Sequence, residues 1–307
     1  MKLIITEKPS VAKSIASALG AKSGADGYFQ GNALIVSWCV GHLVSPMDAA
    51  GYDERFKKWR YDDLPILPEP FRYVLAPGKE DAFENLRTLM NRSDVDTVVN
   101  ACDAGREGEL IFRLVYEMAG CKKQVERLWI SSMEDMAIRE GMSDLRPGAE
   151  CDSLYQSALC RQKADWLVGI NATSLFSVLY HRTLNVGRVQ TPTLAMLAER
   201  DGKIMLFNKE KYHHVRLQVD GAEAVSEKFT DPTQAKQVQI ACQNGQAICI
   251  SVTREKKKEQ PPKLYDLTTL QREANRIFGY TAKQTLDYVQ SLYEKKLLTY
   301  PARTADI

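Results

Sequence analysis

A chain of 307 residues, 44% hydrophobic and 26% charged, has the composition of an ordinary globular protein with room for two or three domains. No apolar run approaches the roughly 20 residues of a membrane-spanning helix. The opening MKLIITEKPS meets charge too early for a signal peptide, so a cytoplasmic protein with no membrane partner is expected. Seven scattered cysteines, none in a CxxC pair, argue against a zinc ribbon or a disulfide framework and for reduced, mostly buried thiols. The net charge of +2 decides little, but residues 253–307 hold eleven Lys and Arg against seven Asp and Glu. That local excess suits a polyanion.

In chain order, KLIITE (2–7) reads as a short buried strand. PSVAKSIASALG (9–20) reads as a helix with Pro9 in its first turn and Gly20 as its stop. Glu7 and Lys8 therefore fall where strand turns into helix. Residues 37–78, rich in Pro, Gly and aromatics, predict long ordered loops with short strands. The strand–turn–helix unit then recurs, with a strand over 96–102, Asp103 at its end, and a helix from about Glu107 to Ala119 closed by Gly120. In parallel α/β sheets ligands bind beyond the carboxyl ends of strands. If the two strands are neighbours, Glu7, Lys8, Asp103 and Glu107 form one site.

Residues 151–201 predict helix, broken around HRTLNVGRVQTPT (181–193). Between 211 and 252 the character changes. YHHVRLQV (212–219) and QAICISVT (246–253) have strand composition, and QNGQ (243–246) is a hairpin-type turn. REKKKEQPPK (254–263) is a charged linker. TTLQREANRIFG and TAKQTLDYVQSLYEKKL then predict two helices of helix-turn-helix proportions, with Leu286, Val289, Leu292 and Tyr293 on the apolar face of the second.

Three stretches carry chemistry. Acidic residues on strand ends offer the hard oxygen ligands that Mg²⁺ prefers, although acids at a helix start also answer the helix dipole. LLTYPART (297–304) sets Tyr300 after an amphipathic helix, before Pro301 and near Arg303. A tyrosine hydroxyl, with a pKa of about 10, is a poor nucleophile unless cations or a metal stabilise the developing charge. NVGRVQTPT (185–193) puts Arg188 and Gln190 before a helix whose N-cap is expected at Thr191 and whose first turn holds Pro192. Backbone amides at such a helix start can bind phosphate.

Taken together these segments resemble the type IA DNA topoisomerases, and within them the topoisomerase III branch. LIITEKPSVAKSIA is similar to the first strand of a Toprim domain with its glutamate, and GHLVSPMDAAGYDERFKKWRYDDLPILP to the GHL segment with its tryptophan. DAGREGELIF resembles the family's DxDREGE. LCRQKADWLVGINATSLFS and NVGRVQTPTLAMLAERD resemble the segments that line the single-stranded DNA groove. QPPKLYDL through LLTYP resembles the approach to the catalytic tyrosine.

The resemblance implies an α/β Toprim domain over 1–150 and the first part of a helical DNA-groove domain over 151–210. It further implies a β-rich arch segment over 211–260 and a helical tyrosine-domain stub over 261–307, together an incomplete toroid. It implies that Tyr300 attacks single-stranded DNA, leaving a 5′-phosphotyrosine and a free 3′-hydroxyl. Glu7 acts as general acid/base and, with Asp103 and Glu107, holds Mg²⁺, while Arg106 and Glu109 support. Lys8 and Arg303 steady the scissile phosphate. Arg161 and the run Asn185, Val186, Gly187, Arg188, Val189 and Gln190 contact the strand. A monomer working without ATP is implied.

The sequence departs from the family pattern in three places. Gly105 stands where the family often has a third Asp, which predicts a lower-affinity metal site. Tyr300-Pro301-Ala302-Arg303 carries its arginine one residue late, a displacement of about 3.3 Å along an extended chain, and Thr304, Ala305 and Asp306 replace the usual residues that follow. Family members continue well beyond the tyrosine and bring a histidine that none of His42, His181, His213 and His214 matches, so a truncated form is expected. Two rivals therefore stand beside the enzyme: a remnant that grips single-stranded DNA without cutting it, and a stand-alone Toprim nuclease or primase. The last explains Glu7 and Asp103 but not VGRVQTPT or LLTYP.

Overall fold

The computed structural model describes all residues except 24–26, 32, 220, 244, 247 and 301–307. The chain divides into two compact units, residues 1–190 with 264–307, and residues 191–263.

The larger unit is built on a seven-stranded sheet. β1 (Lys2–Thr6) leads into α1 (Pro9–Leu19), which ends on Gly20 at φ 75°, a left-handed conformation that glycine adopts without strain. β2 (Lys22–Ser23), β3 (Tyr28–Gly31) and β4 (Leu34–Trp38) follow. The loop-rich stretch contains β5 (Val44–Pro46), α2 (Ala49–Tyr52) and β6 (Tyr73–Leu75), with β5 pairing antiparallel to β6. α3 (Glu80–Met90), β7 (Thr97–Asn100), α4 (Arg106–Met118), β8 (Gln124–Arg127), α5 (Asp135–Ser143) and β9 (Arg146–Pro147) complete the α/β part. The sheet order is β2-β3-β4-β1-β7-β8-β9. Its four central strands run parallel, because β1 pairs with both β4 and β7, and β7 pairs with β8. The order reverses at β1, the place where a doubly wound sheet opens a crevice.

Alternation along the central strands splits the core in two. Leu3, Ile5, Ile35 and Val98 face α3, α4 and the start of α6 (Asp152–Leu179), against Phe83, Leu86, Phe112 and Tyr155. Ile4, Val36 and Val99 face α1 and α5, against Val11, Ile15 and Ile138. Burying both faces explains why these strands read as continuous apolar runs.

α9 (Leu267–Phe278) and α10 (Ala282–Glu294) return to this unit, joined through Gly279 at φ 70°. Thr281 and Gln284 form a capping box at the start of α10. The apolar face expected on α10 is rotated. Thr285, Val289 and Tyr293 are buried, whereas Leu286 and Leu292 are exposed. The i, i+4, i+8 row is the one that docks, and Tyr293 enters the core with Val11 and Met133.

The smaller unit holds most of α7 (Gln190–Met205), the hairpin of β10 (Arg216–Val219) and β11 (Ala222–Val225), and α8 (Pro232–Cys242). Here the sequence reading needs correction. The hairpin the structure describes pairs Val219 with Ala222, with Gly221 at φ 79° beside the pair, a conformation that glycine adopts without strain. The expected turn at QNGQ falls partly outside the described residues. The described residues of 246–253 form no strand, and a helix stands at 232–242, capped by Asp231 through its bond from the Thr233 amide at 2.8 Å. Helix α7 begins at Gln190, one residue before its expected cap. Among the described residues no helix is long and apolar enough to cross a membrane. All seven cysteines are free, and four of them are buried.

Candidate active site

Strand pairing brings the acidic residues together. Ile5 lies opposite Asn100, and the Ala101 amide donates to the Ile5 carbonyl at 2.8 Å, so Glu7 and Asp103 leave adjacent strand ends. The turn after β7 is set by main-chain contacts. A side chain at Gly108 would place its Cβ 2.1 Å from the Asp103 carbonyl oxygen, so only glycine lets α4 start so close to that carbonyl. Arg127, fully buried, donates to the carbonyls of Asn100, Cys102, Leu128 and Asp103 at 2.8–2.9 Å, and its Nε lies 2.7 Å from Glu109 Oε1. Glu109 also accepts from Asn100 Nδ2 at 2.8 Å, and its second oxygen lies 3.5 Å from Arg113 Nε. Glu109 is thus an internal brace of the turn. Its carboxyl is still pushed up by burial, with Arg127 and Arg113 opposing that shift. Neither Arg127 nor its bracing role was legible beforehand. The only signal was a charged residue in the apolar strand VERLW.

The Asp103 carboxylate is a charged neighbour of Glu7. Burial, then the neighbouring Asp103 charge, push the Glu7 carboxyl from 4.5 to about 7, while Lys8, with Nζ 3.8 Å from Glu7 Oε1, pulls it down. Two carboxylates this close cannot both ionise cheaply. Glu107 stands apart from the pair, with His42 Nε2 at 3.8 Å and Arg161 Nη1 at 3.7 Å from its oxygens. His42, in the GHL segment beyond β4, is a site neighbour that the sequence reading left without a role.

Tyr300 arrives from the other end of the chain. Its amide donates to the Ser131 carbonyl at 2.9 Å, beyond the end of β8, and its ring meets Tyr293 edge-on at 5.5 Å. Lys296 pairs with Asp135 just upstream. Burial, followed by the nearby Asp103 and Glu7 charges, raises the Tyr300 pKa well above the ordinary value. The structure thus joins Glu7, Lys8, Asp103 and Tyr300 in one crevice. Arg303 and its neighbours 304–306 lie outside the described residues.

The groove residues form a charged chain on α6. Arg161 lies 3.9 Å from Asp165, and Asp165 Oδ1 lies 2.5 Å from Arg188 Nε. The loop before Arg188 is tied to α6 by the Val186 amide bonding Thr173 Oγ1 at 3.0 Å and the Leu184 amide bonding Ser177 Oγ at 2.9 Å. Arg161 therefore pairs with Glu107 on one side and, through Asp165, is linked to Arg188 in the loop from Asn185 to Gln190.

Comparison with known proteins agrees with this arrangement. A Toprim domain model matches residues 2–133, and a DNA topoisomerase model matches residues 149–305, just over half of the chain. The chain belongs to the DNA topoisomerase family, in its type IA, topoisomerase III-like branch. It is 42% identical to DNA topoisomerase 3 of Bacillus subtilis over 97% of this chain and 42% of that protein. It is 43% identical to DNA topoisomerase 3 of Shouchella clausii, again over 42% of the relative. Topoisomerase I from Thermotoga maritima superposes with a TM-score of 0.67 at 25% identity, covering 97% of this chain and 48% of that one. The chain therefore spans less than half the length of the relatives it matches. A stand-alone Toprim enzyme does not account for the match over 149–305.

The donor set around Asp103 fits Mg²⁺ in kind. It consists of hard carboxylate oxygens whose crowding raises the Glu7 pKa, and Mg²⁺ is commonly held by one or two carboxylates together with substrate phosphate and water. Among the described residues no group of three or more His, Cys, Asp or Glu side chains is placed to hold a metal ion, so the expected set of Glu7, Asp103 and Glu107 is not gathered into one three-carboxylate site. At Gly105 an added Cβ would meet nothing within 4 Å, so there is room for a third acid there.

Proposed function

We propose that the chain performs the type IA reaction: it cleaves single-stranded DNA through Tyr300 and reseals it, without ATP, as a monomer in the cytoplasm. In the whole protein this reaction relaxes or decatenates DNA. The observation that carries the reading is Tyr300 docked by its amide on Ser131 and its ring on Tyr293, beside the Asp103 and Glu7 charges at the strand ends where a parallel sheet binds ligands.

The residues divide the work as follows. The phenol oxygen of Tyr300 attacks phosphorus and its proton passes to the Asp103 carboxylate. The bond from phosphorus to the 3′-oxygen breaks, and Glu7 gives that oxygen its proton. A carboxyl poised near 7 suits this exchange in both directions. Resealing runs the same transfers backwards, and the phosphotyrosine bond keeps the phosphodiester energy. Lys8 sits beside Glu7 and can face the scissile phosphate. Arg161, Arg188 and the loop from Asn185 to Gln190 would hold the strand. Mg²⁺ held by Asp103 and Glu107, with Glu7 alongside, would supply positive charge for the phosphate.

The experiment is incubation with labelled single-stranded DNA and Mg²⁺, quenched with detergent. A covalent adduct that disappears in Tyr300→Phe is expected. Retention of DNA with no adduct supports instead the binding remnant, the reading that the absent third carboxylate at Gly105 favours. Cleavage that survives Tyr300→Phe overturns both.

A further inference from the structure

At the far end of α6 from the acidic cluster lies a cavity of about 480 Å³, lined by Lys58, Trp59, Ser177, His181, Arg182 and Thr183, together with Val178. No carboxylate lines it, and Lys58, His181 and Arg182 form no ion pair among the described residues. α6 ends here, with the His181 amide donating to the Val178 carbonyl and the Arg182 amide to the Ser177 carbonyl. His181 takes φ 53°, the left-handed conformation that closes helices and turns the chain toward Asn185. Some positive charge is expected beside a helix C-terminus, which carries roughly half a negative charge. Lys58 and Arg182 alone exceed that, and His181 adds more when protonated.

The cavity also has a stacking surface and a buried hydroxyl. Trp59 is 38% exposed and lines the cavity. Ser177 accepts from the Leu184 amide, which leaves its own hydroxyl proton to donate. Exposed aromatics beside cations are the pattern that takes a base on the ring and a phosphate on the charge. The same Ser177–Leu184 bond ties the cavity to the loop from Asn185 to Gln190.

We propose that this cavity is a second, remote subsite for single-stranded nucleic acid, with Lys58 and Arg182 on phosphate and Trp59 under a base. The proposal rests on the DNA-binding reading given above. Arg161 and Ser177 are sixteen residues apart on one helix, about 24 Å along its axis. At a stacked spacing of about 3.4 Å per nucleotide that is roughly seven nucleotides. Only a strand long enough to cover this distance beyond the active site engages both.

Length dependence is therefore the test. The full chain is titrated with labelled oligothymidylates of five and fifteen nucleotides across a salt series. Lys58→Ala/Arg182→Ala should weaken the 15-mer about tenfold and lower its log–log salt slope by about 1.4, the value for two single-strand phosphates. Trp59→Ala should weaken the 15-mer about tenfold as well. Both variants should leave 5-mer binding and the covalent adduct on the 5-mer unchanged, which also reports intact folding. A double variant that matches wild type on the 15-mer, or loses both lengths equally, overturns the subsite while the proposed function stands. Wild-type protein that binds neither oligonucleotide overturns the proposed function and the subsite together.

Discussion

The two halves of the crevice are held in different ways. The acidic half is part of the sheet: Glu7 and Asp103 extend from paired strands, and Arg127, Glu109 and Gly108 fix the turn between them by buried main-chain contacts. The tyrosine half is docked. It is delivered from nearly two hundred residues away by α10, and it rests on the Tyr293 anchor, the Lys296–Asp135 pair and one amide bond to Ser131. The proposed reaction, which would hold one DNA end covalently and the other by contacts, calls for halves that can part without unfolding. On that proposal the rigid half would take the phosphate and the lightly docked half would carry the nucleophile.

The strongest way to break this contrast is at Arg127. Arg127→Met takes from the buried Glu109 its nearest cation, leaving Asn100 and the more distant Arg113, and strips four carbonyls of their donor. A loss of about 3–5 kcal/mol in urea unfolding is expected, with the adduct lost as well. Tyr293→Ala attacks the docked half. The local loss should also be about 3–5 kcal/mol, but hydrogen exchange should show it confined to α9 and α10, with the sheet amides still protected. Loss of protection throughout the sheet would mean that the two halves are one cooperative body.

The acid pair sharpens the contrast through pH. The folded-state pKa of Glu7, about 7, lies above its ordinary 4.5, so its contribution to stability is complete below about 4.5 and is lost as pH rises through 7. In the metal-free protein that loss is at most about 3 kcal/mol, and Glu7→Gln should remove it from the pH profile of thermal unfolding. A wild-type profile identical to that of Glu7→Gln would refute the shift. Mg²⁺ should stabilise the wild type more at pH 8 than at pH 5. The smallest effect is at Gly105. Gly105→Asp should tighten the Mg²⁺ requirement for adduct formation by roughly 1 kcal/mol, about fivefold, and unchanged affinity would sink the view of Gly105 as a missing ligand.

The same contrast governs what could be read from the sequence. The acidic half was legible because each part is local: an apolar strand, a carboxylate at its end, then a helix marked by Pro9 or closed by Gly120. That β1 and β7 are neighbours was a condition in the sequence and became a register in the structure. Arg127 was illegible because its partners lie across the sheet, and no spacing links it to Asn100 or Asp103. α10 was recognised as a helix, but its buried row was misjudged, since Thr285 reads as polar and Leu286 and Leu292 as core. In the smaller unit the glycine at 221 that precedes β11 and the Asp231-Pro232 helix start were both present in the sequence. They were outweighed by the β-branched and apolar run at 248–252, whose described residues are exposed and unpaired into any strand.

The close approach of Gly108 to the Asp103 carbonyl has one more consequence. The position of Asp103 is measured out by main-chain atoms: its own carbonyl against Gly108, and that carbonyl with its neighbour's under Arg127. None of these contacts uses its carboxylate. That group is free to trade partners, a proton shared with Glu7, the phenol of Tyr300 or a hard cation, while its backbone stays still. The turn behaves as a socket whose occupant can be exchanged at each step without re-forming the socket.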